Sequence, residues 1–373
     1  MMAEMLRLAL LASSLAVLLF SCFKVAYALW WKPKALERHL RQQGIRGNPY
    51  RFFYGDLKDD MHARILASSK PMDLSHQIVP RAEPFIHQMV QKYEFKSLAL
   101  TRYRRFHRFV PTAKNKRRVR IDREIKSMLM DMINKKLDSM ANGESTGVDL
   151  LGLLVQYSND RDHGNYSITT DDVIEECKLF YFAGQDTTSV LLTWTLILLS
   201  MYPTWQQRAR EEVASVCGKD SPDFESTSRL KTVTMILHEV LRLYSPVNGI
   251  LRRTIKTTKL GGFSFPAGIE LFLPTLLIHH DREIWGEDAE EFKPERFSEG
   301  VSRAPRIPNA FFPFGWGPRI CLGQSFAMIE AKMALACVLQ HFCFELSPSY
   351  AHAPHSVVTL QPQSGAQLIL HQL

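Results

Sequence analysis

The sequence predicts a mainly helical fold with a minor β-sheet, carried behind one N-terminal transmembrane helix. Three observations predict it. Leu8 to Phe23 contains no charged residue. A second long apolar run, Asp172 to Met201, opens on acidic residues and stops before Pro203, as a central buried helix does. Between Leu260 and Leu277, by contrast, Gly261-Gly262 and Pro266-Ala267-Gly268 break the chain into short strands and turns.

The N-terminal run extends from Leu6 to Trp31 if Arg7 and Lys24 snorkel, and a membrane span needs about 20 residues. Trp30 and Trp31 stand where an interfacial aromatic belt belongs, and Lys32, Lys34, Arg38 and Arg41 follow. The positive-inside rule then leaves the rest of the chain cytosolic. The rival reading is a cleaved signal peptide, because Ala26-Tyr27-Ala28 imitates its cleavage site; the two tryptophans and the basic stretch after it argue for the anchor. We expect an anchor at 1–31, a basic Gly/Pro hinge at 32–50, and one globular domain at 51–373.

Within the domain, Arg120 to Met140 predicts an amphipathic helix stopped near Gly143. Thr204 to Cys217, Thr232 to Leu243 and Gln324 to Phe342 predict further helices. Composition fits a folded chain: 373 residues, 46% hydrophobic and 23% charged. The net charge of +8 suits anionic lipid or an acidic partner protein. Nucleic-acid binding lacks a supporting fold or aromatic interleaving. The six cysteines lie far apart, with no CxxC and no His pair at zinc spacing. That excludes a disulfide scaffold and suits a reducing compartment, where a lone thiolate persists as a metal ligand.

The strongest signal is Phe314-Gly315-Trp316-Gly317-Pro318-Arg319-Ile320-Cys321-Leu322-Gly323. Gly317 and Gly323 would let backbone pass close to a flat ligand and take up positive φ. Arg319 supplies a fixed cation. The loop runs into a helix whose N-terminal amides would stabilise a sulfur anion on Cys321. A buried cysteine alone is usually just a small hydrophobe. Five fixed positions, however, coincide by chance on the order of once per several million windows.

This loop resembles the haem loop of cytochromes P450, and three further motifs follow the family's order. Ala183-Gly184-Gln185-Asp186-Thr187-Thr188 resembles its oxygen-activating helix, Glu239-Val240-Leu241-Arg242 its Glu-x-x-Arg helix, and Pro294-Glu295-Arg296-Phe297 the segment whose arginine joins that pair. The resemblance implies haem b with Cys321 as axial iron ligand, held by Phe314, Gly317, Arg319 and Gly323. It implies Arg252, with Arg253 as competitor, on a propionate, and Asp186 with Thr187 as the proton-delivery pair. Thr187 can bond back to the carbonyl of Ala183 and loosen the helix. Glu239, Arg242 and Arg296 become a buried bracing network, where a surface pair would contribute only a few tenths of a kcal/mol. His280 faces the haem or is an ordinary core histidine.

The wording Glu175 to Gln185 and Phe312 to Arg319 is similar to plant enzymes of the 72 clan, of the secologanin synthase type. That branch oxidises apolar, isoprenoid-derived small molecules, with electrons from NADPH through NADPH-cytochrome P450 reductase. Such a protein is a single-pass membrane protein of the endoplasmic reticulum, touching membrane lipid, with its catalytic domain cytosolic.

The resemblance breaks at Glu94 to His107, a seam where family members carry well over a hundred further residues. The family's Trp-x-x-x-Arg contact to a propionate has no counterpart at any tryptophan of this chain. The expected fold is therefore the P450-like fold shortened internally. Two functions remain open: a monooxygenase, or an inactive truncated product that holds haem weakly or not at all. The basic run Arg102 to Arg120 reads as a membrane- or reductase-facing patch or as a solvated junction.

Overall fold

The computed structural model describes residues 2–52, 54–93, 98–99, 113–144, 146–159 and 168–373. In chain order the elements are α1 (Met2–Ala26), a π-helical turn (Tyr27–Trp31), α2 (Lys32–Gln42), α3 (Leu57–Ser69), α4 (Val79–Ala82), α5 (Pro84–Tyr93) and β1 (Leu98–Ala99). There follow α6 (Ala113–Ala141), α7 (Leu150–Asn159), α8 (Thr170–Met201), α9 (Pro203–Cys217), α10 (Phe224–Arg229) and α11 (Lys231–Leu243). Then come β2 (Ile250–Arg253), β3 (Thr258–Leu260), β4 (Phe263–Phe265), β5 (Glu270–Leu273), α12 (Thr275–His279) and α13 (Arg282–Trp285). The chain closes with a 3-10 turn (Pro294–Phe297), α14 (Gln324–His341), β6 (Phe342–Leu346), β7 (Pro354–Ser356), β8 (Leu360–Pro362) and β9 (Leu368–Gln372). The fold is mainly helical with small antiparallel sheets, as the sequence predicts. Most of the predicted seam lies outside the described residues.

Among the described residues one helical stretch, Leu10–Gln42, is long and apolar enough to cross a membrane. Pro33 should interrupt it, since proline lacks the amide that the carbonyl of Leu29 would receive. The chain widens instead into the π-turn, and the Tyr50 hydroxyl donates to the carbonyl of Leu29.

The chain divides into two units, Met1–Tyr103 with Val190–Leu373, and Arg104–Ser189. The core of the first is built by helical spacing: Leu191, Trp194 and Leu198 from the end of α8, Val233, Ile236, Leu237 and Val240 from α11, and Leu335 and Leu339 from α14. Strands β1, β5 and β2 form its largest sheet, with Arg252 opposite Leu271. A buried row of rings crosses this core. His76 joins the hydroxyls of Tyr202 and Tyr244, each at 2.8 Å. Tyr244 continues to His352 at 3.1 Å, and His352 to Tyr350 at 2.9 Å. Trp194 stacks on Tyr244 with centroids 4.3 Å apart.

The second unit contains α6, α7 and the first part of α8, around Ile133, Val155, Val173 and Ile174. Here the expectation of a helix buried on most faces needs correction. Leu179, Tyr181 and Phe182 on α8 are 58%, 73% and 52% exposed. Among the described residues this unit supplies only two other helices, too little to cover every apolar face. Helix α6 begins at Ala113 rather than Arg120, because Lys and Arg are good helix formers and let the charged run join the helix. Thr275–His279, expected partly as strand, is a helical turn.

Candidate functional site

The loop before α14 is held by a series of backbone bonds. The Gly315 amide donates to the carbonyl of Phe312 at 3.0 Å, and the Cys321 amide to that of Phe314 at 2.9 Å. Two sharp turns make this possible: Gly315 has φ +78° and Gly317 φ +74°, a region that side chains with a Cβ avoid. Gly317–Arg319 forms one 3-10 turn. Cys321 is exposed and has no disulfide partner, and α14 starts three residues later, at Gln324. Gly323 departs from expectation. It caps α14 at φ −87°, so positive φ is not what it provides. A Cβ there would lie 3.9 Å from Cys321 Sγ, an ordinary contact. Phe314 packs half-buried against the main core.

The loop is accompanied by a charged network whose central pair is shut off from solvent. Glu239 and Arg242, one turn apart on α11, are both 0% exposed. Arg242 donates through Nε and Nη2 to the two carboxylate oxygens, each at 2.7 Å. Its Nη1 donates to the carbonyls of His279 (2.9 Å) and Ala289 (2.6 Å), and Nη2 also to that of Glu291 (3.1 Å). The Lys293 amide donates to Glu239 at 2.9 Å. Arg296 reaches Glu239 at 3.5 Å as an ionic contact only; its Nε–H finds no hydrogen-bond acceptor. Its main partners are Asp288 Oδ1 at 2.9 Å and the carbonyls of Trp285 and Asp288. Partial burial pushes Asp288 upward, but hydrogen bonds and charge from Arg296 and Lys293 outweigh it and hold this carboxyl at about 2. The structure thus brings Glu239, Arg242 and Arg296 together and adds Asp288, which no sequence pattern singled out.

Arg319 is exposed and makes no ion pair among the described residues. Arg252 is half-buried in β2, its Nη1 donating only to the carbonyl of Leu251 at 3.0 Å, while Arg253 is exposed. His280 is a core histidine. It is 8% exposed, and its Nε2 donates to the carbonyl of Leu243 at 2.9 Å. Burial first, and Arg242 second, push it down to about 3. In the second unit Thr187 Oγ donates to the carbonyl of Ala183 at 2.6 Å, and Asp186 is half-buried beside it. A Cβ on Gly184 would meet nothing within 4 Å.

Does the Cys321 loop fit a haem? Around the exposed thiol, Trp316, Ile320, Leu322 and Phe326 are 60%, 44%, 89% and 69% exposed. So large an apolar surface beside one thiol and one unpaired guanidinium suits a flat apolar ring with anionic side groups. Among the described residues no three His, Cys, Asp or Glu side chains converge. A single thiolate of this kind holds an iron whose other ligands come from such a ring. The residues present fit the group.

Comparison with known proteins agrees. The cytochrome P450 family model matches residues 64–370. The chain is 60% identical over 271 residues to cytochrome P450 CYP72A616 of Paris polyphylla, covering 72% of this chain and 52% of that protein. It is 38% identical to cytochrome P450 72A397 of Kalopanax septemlobus over 94% of this chain and 95% of the relative, and 34% identical to secologanin synthase 1 of Catharanthus roseus over 99% of each. In its most identical stretch the chain spans about half the length of the curated relatives it matches. The second alignment runs over 495 positions with 94% of a 373-residue chain, so roughly 140 of its positions have no counterpart here.

Proposed function

The chain belongs to the cytochrome P450 family, and from that premise we propose that it is a haem-thiolate monooxygenase acting on an apolar, isoprenoid-derived small molecule. The observation that carries this is the exposed Cys321 thiol, framed by uncovered apolar side chains and the free cation of Arg319. When bound, haem would supply dioxygen activation and the oxidising power to insert one oxygen atom into a C–H bond. Cys321 would hold its iron as thiolate, and Arg319 and Arg252 would hold its propionates. Glu239, Arg242, Arg296 and Asp288 keep the segments behind the loop in register. Thr187, its hydroxyl turned onto the Ala183 carbonyl, would position a proton donor, with Asp186 beside it holding the proton to be delivered.

The substrate class rests on relatives such as secologanin synthase 1 and 7-deoxyloganic acid hydroxylase of Catharanthus roseus. Electrons would come from NADPH through a reductase partner, with the N-terminal helix holding this chain at the endoplasmic reticulum membrane. The roughly 140 missing positions favour a second reading, an anchored product without turnover.

One experiment separates the two. Microsomes expressing the chain are reduced and treated with carbon monoxide. The monooxygenase reading expects the red-shifted Soret band of thiolate ligation, its loss in Cys321→Ser, and NADPH-dependent substrate consumption. A wild type without that band sinks it and leaves the inactive product.

A further inference from the structure

His279 is the last residue of α12 and is 0% exposed. It sits among aromatic rings, with centroid distances of 5.3 Å to Phe311, 5.4 Å to Phe312 and 6.3 Å to Trp285. Two of its acceptors are used in opposite directions. Its carbonyl takes a hydrogen bond from Arg242 Nη1 at 2.9 Å. Its ring Nε2 takes one from the backbone amide of Phe312 at 3.2 Å, where the cysteine loop begins. From Phe312 the bonding continues through its own carbonyl to the Gly315 amide, and through the neighbouring Phe314 carbonyl to the Cys321 amide. A buried histidine serving as backbone acceptor links the guanidinium network to the loop that carries the thiol.

We propose that His279 is a positioning residue for Cys321, its unprotonated Nε2 fixing the start of the loop through the Phe312 amide. The ring can do this only as the neutral imidazole whose Nε2 carries the lone pair; an imidazolium would point a proton at the amide proton. The surroundings keep the ring uncharged. Burial disfavours the charged ring, and the cation of Arg242 and the neighbouring His280 push the same way, well below the usual range. The free acceptor is therefore present throughout the physiological range. Lysine or arginine at 279 would carry only donors, and apolar residues would leave the half-buried Phe312 amide without this partner. Why the position holds an imidazole is thus chemical: it is a rigid acceptor within an aromatic cage, bonded to the amide three residues before the loop's first sharp turn at Gly315.

The proposal rests on the reading of Cys321 as thiolate ligand, but its primary test does not need haem. Amide hydrogen exchange is followed residue by residue in the detergent-solubilised full chain, comparing wild type with His279→Phe and His279→Gln. The glutamine Oε1 can stand near Nε2 and accept the same bond. In His279→Phe the amides of Phe312, Gly315 and Cys321 should exchange about tenfold faster, while those of α11 and α14 stay as in wild type. His279→Gln should restore most of the protection. In haem-loaded protein, the thiolate-type share of the carbon monoxide spectrum should fall in the phenylalanine variant and return in the glutamine variant. Unchanged protection at those three amides in His279→Phe overturns the proposal. So does uniform loss across α11 and α14, which would mark a merely structural residue. If wild type shows no thiolate spectrum while the exchange pattern is as expected, the haem reading fails and the tether stands.

Discussion

Arg242→Met should be among the most damaging single substitutions in this chain, and the structure supplies the arithmetic. The side chain makes five hydrogen bonds within 3.1 Å and is wholly buried beside a wholly buried Glu239. Removing it strands a carboxylate away from water, which typically costs 3–5 kcal/mol. Three main-chain carbonyls lose a donor as well. Glu239 keeps the Lys293 amide and the distant Arg296, so we expect the lower end, about 3 kcal/mol. In the double variant Glu239→Gln/Arg242→Met the stranded charge is gone, so the two losses should overlap by about 2 kcal/mol rather than add. Urea unfolding followed by tryptophan fluorescence is a suitable assay, because Trp285, one of the six tryptophans, lies 5.0 Å from the Arg242 guanidinium. A loss below about 1 kcal/mol for the single variant, or additive losses in the double, would show that water reaches this pair and would refute the reasoning.

Acidification should destabilise the fold through its buried imidazoles. Burial, followed by His352 and Arg242, holds His76 near 3, and burial holds His352 near 4, whereas an unfolded histidine titrates near 6.5. Between those values the unfolded chain binds more protons. The stabilisation is therefore complete above about 6.5 and falls as pH drops, by about 2 kcal/mol per histidine at pH 5. A melting temperature unchanged from pH 7.5 to 5 would contradict this, and replacing both rings by glutamine should flatten the slope. Gly249→Ala should cost about 1–3 kcal/mol, because its Cβ would stand 2.2 Å from the Phe272 ring; equal unfolding midpoints would count against that packing. Gly317→Ala meets no atom within 4 Å, so its cost should be backbone strain alone, about 1–2 kcal/mol at φ +74°. Calorimetry of the two glycine variants side by side separates overlap from strain.

What could be seen beforehand was whatever a local pattern encodes. The Glu239/Arg242 spacing places both side chains on one helix face, and Thr187 four residues after Ala183 places a hydroxyl over its carbonyl. The cysteine loop was legible because Gly317 answers a backbone demand, whereas the turn at Gly315 was not singled out. Gly323 was misread because a glycine before a helix can serve as cap as well as turn. His279 and Asp288 were invisible for a different reason. Their partners lie 33 and 8 residues away and are mostly main-chain atoms or one arginine, and backbone acceptors leave no signature in residue type. The uncovered face of α8 likewise reflects neighbours rather than its own apolar pattern.

The row from Tyr202 through His76, Tyr244 and His352 to Tyr350 has a further implication. Each neutral imidazole owns one proton and each phenol can give only one away. Filling every link while also giving the wholly buried Tyr244 hydroxyl hydrogen an acceptor then makes all the O–H and N–H vectors run the same way along the row. Both imidazoles must carry their hydrogen on Nδ1, or both on Nε2. Two side chains 276 positions apart in sequence would therefore share one tautomeric choice and could reverse it only in concert.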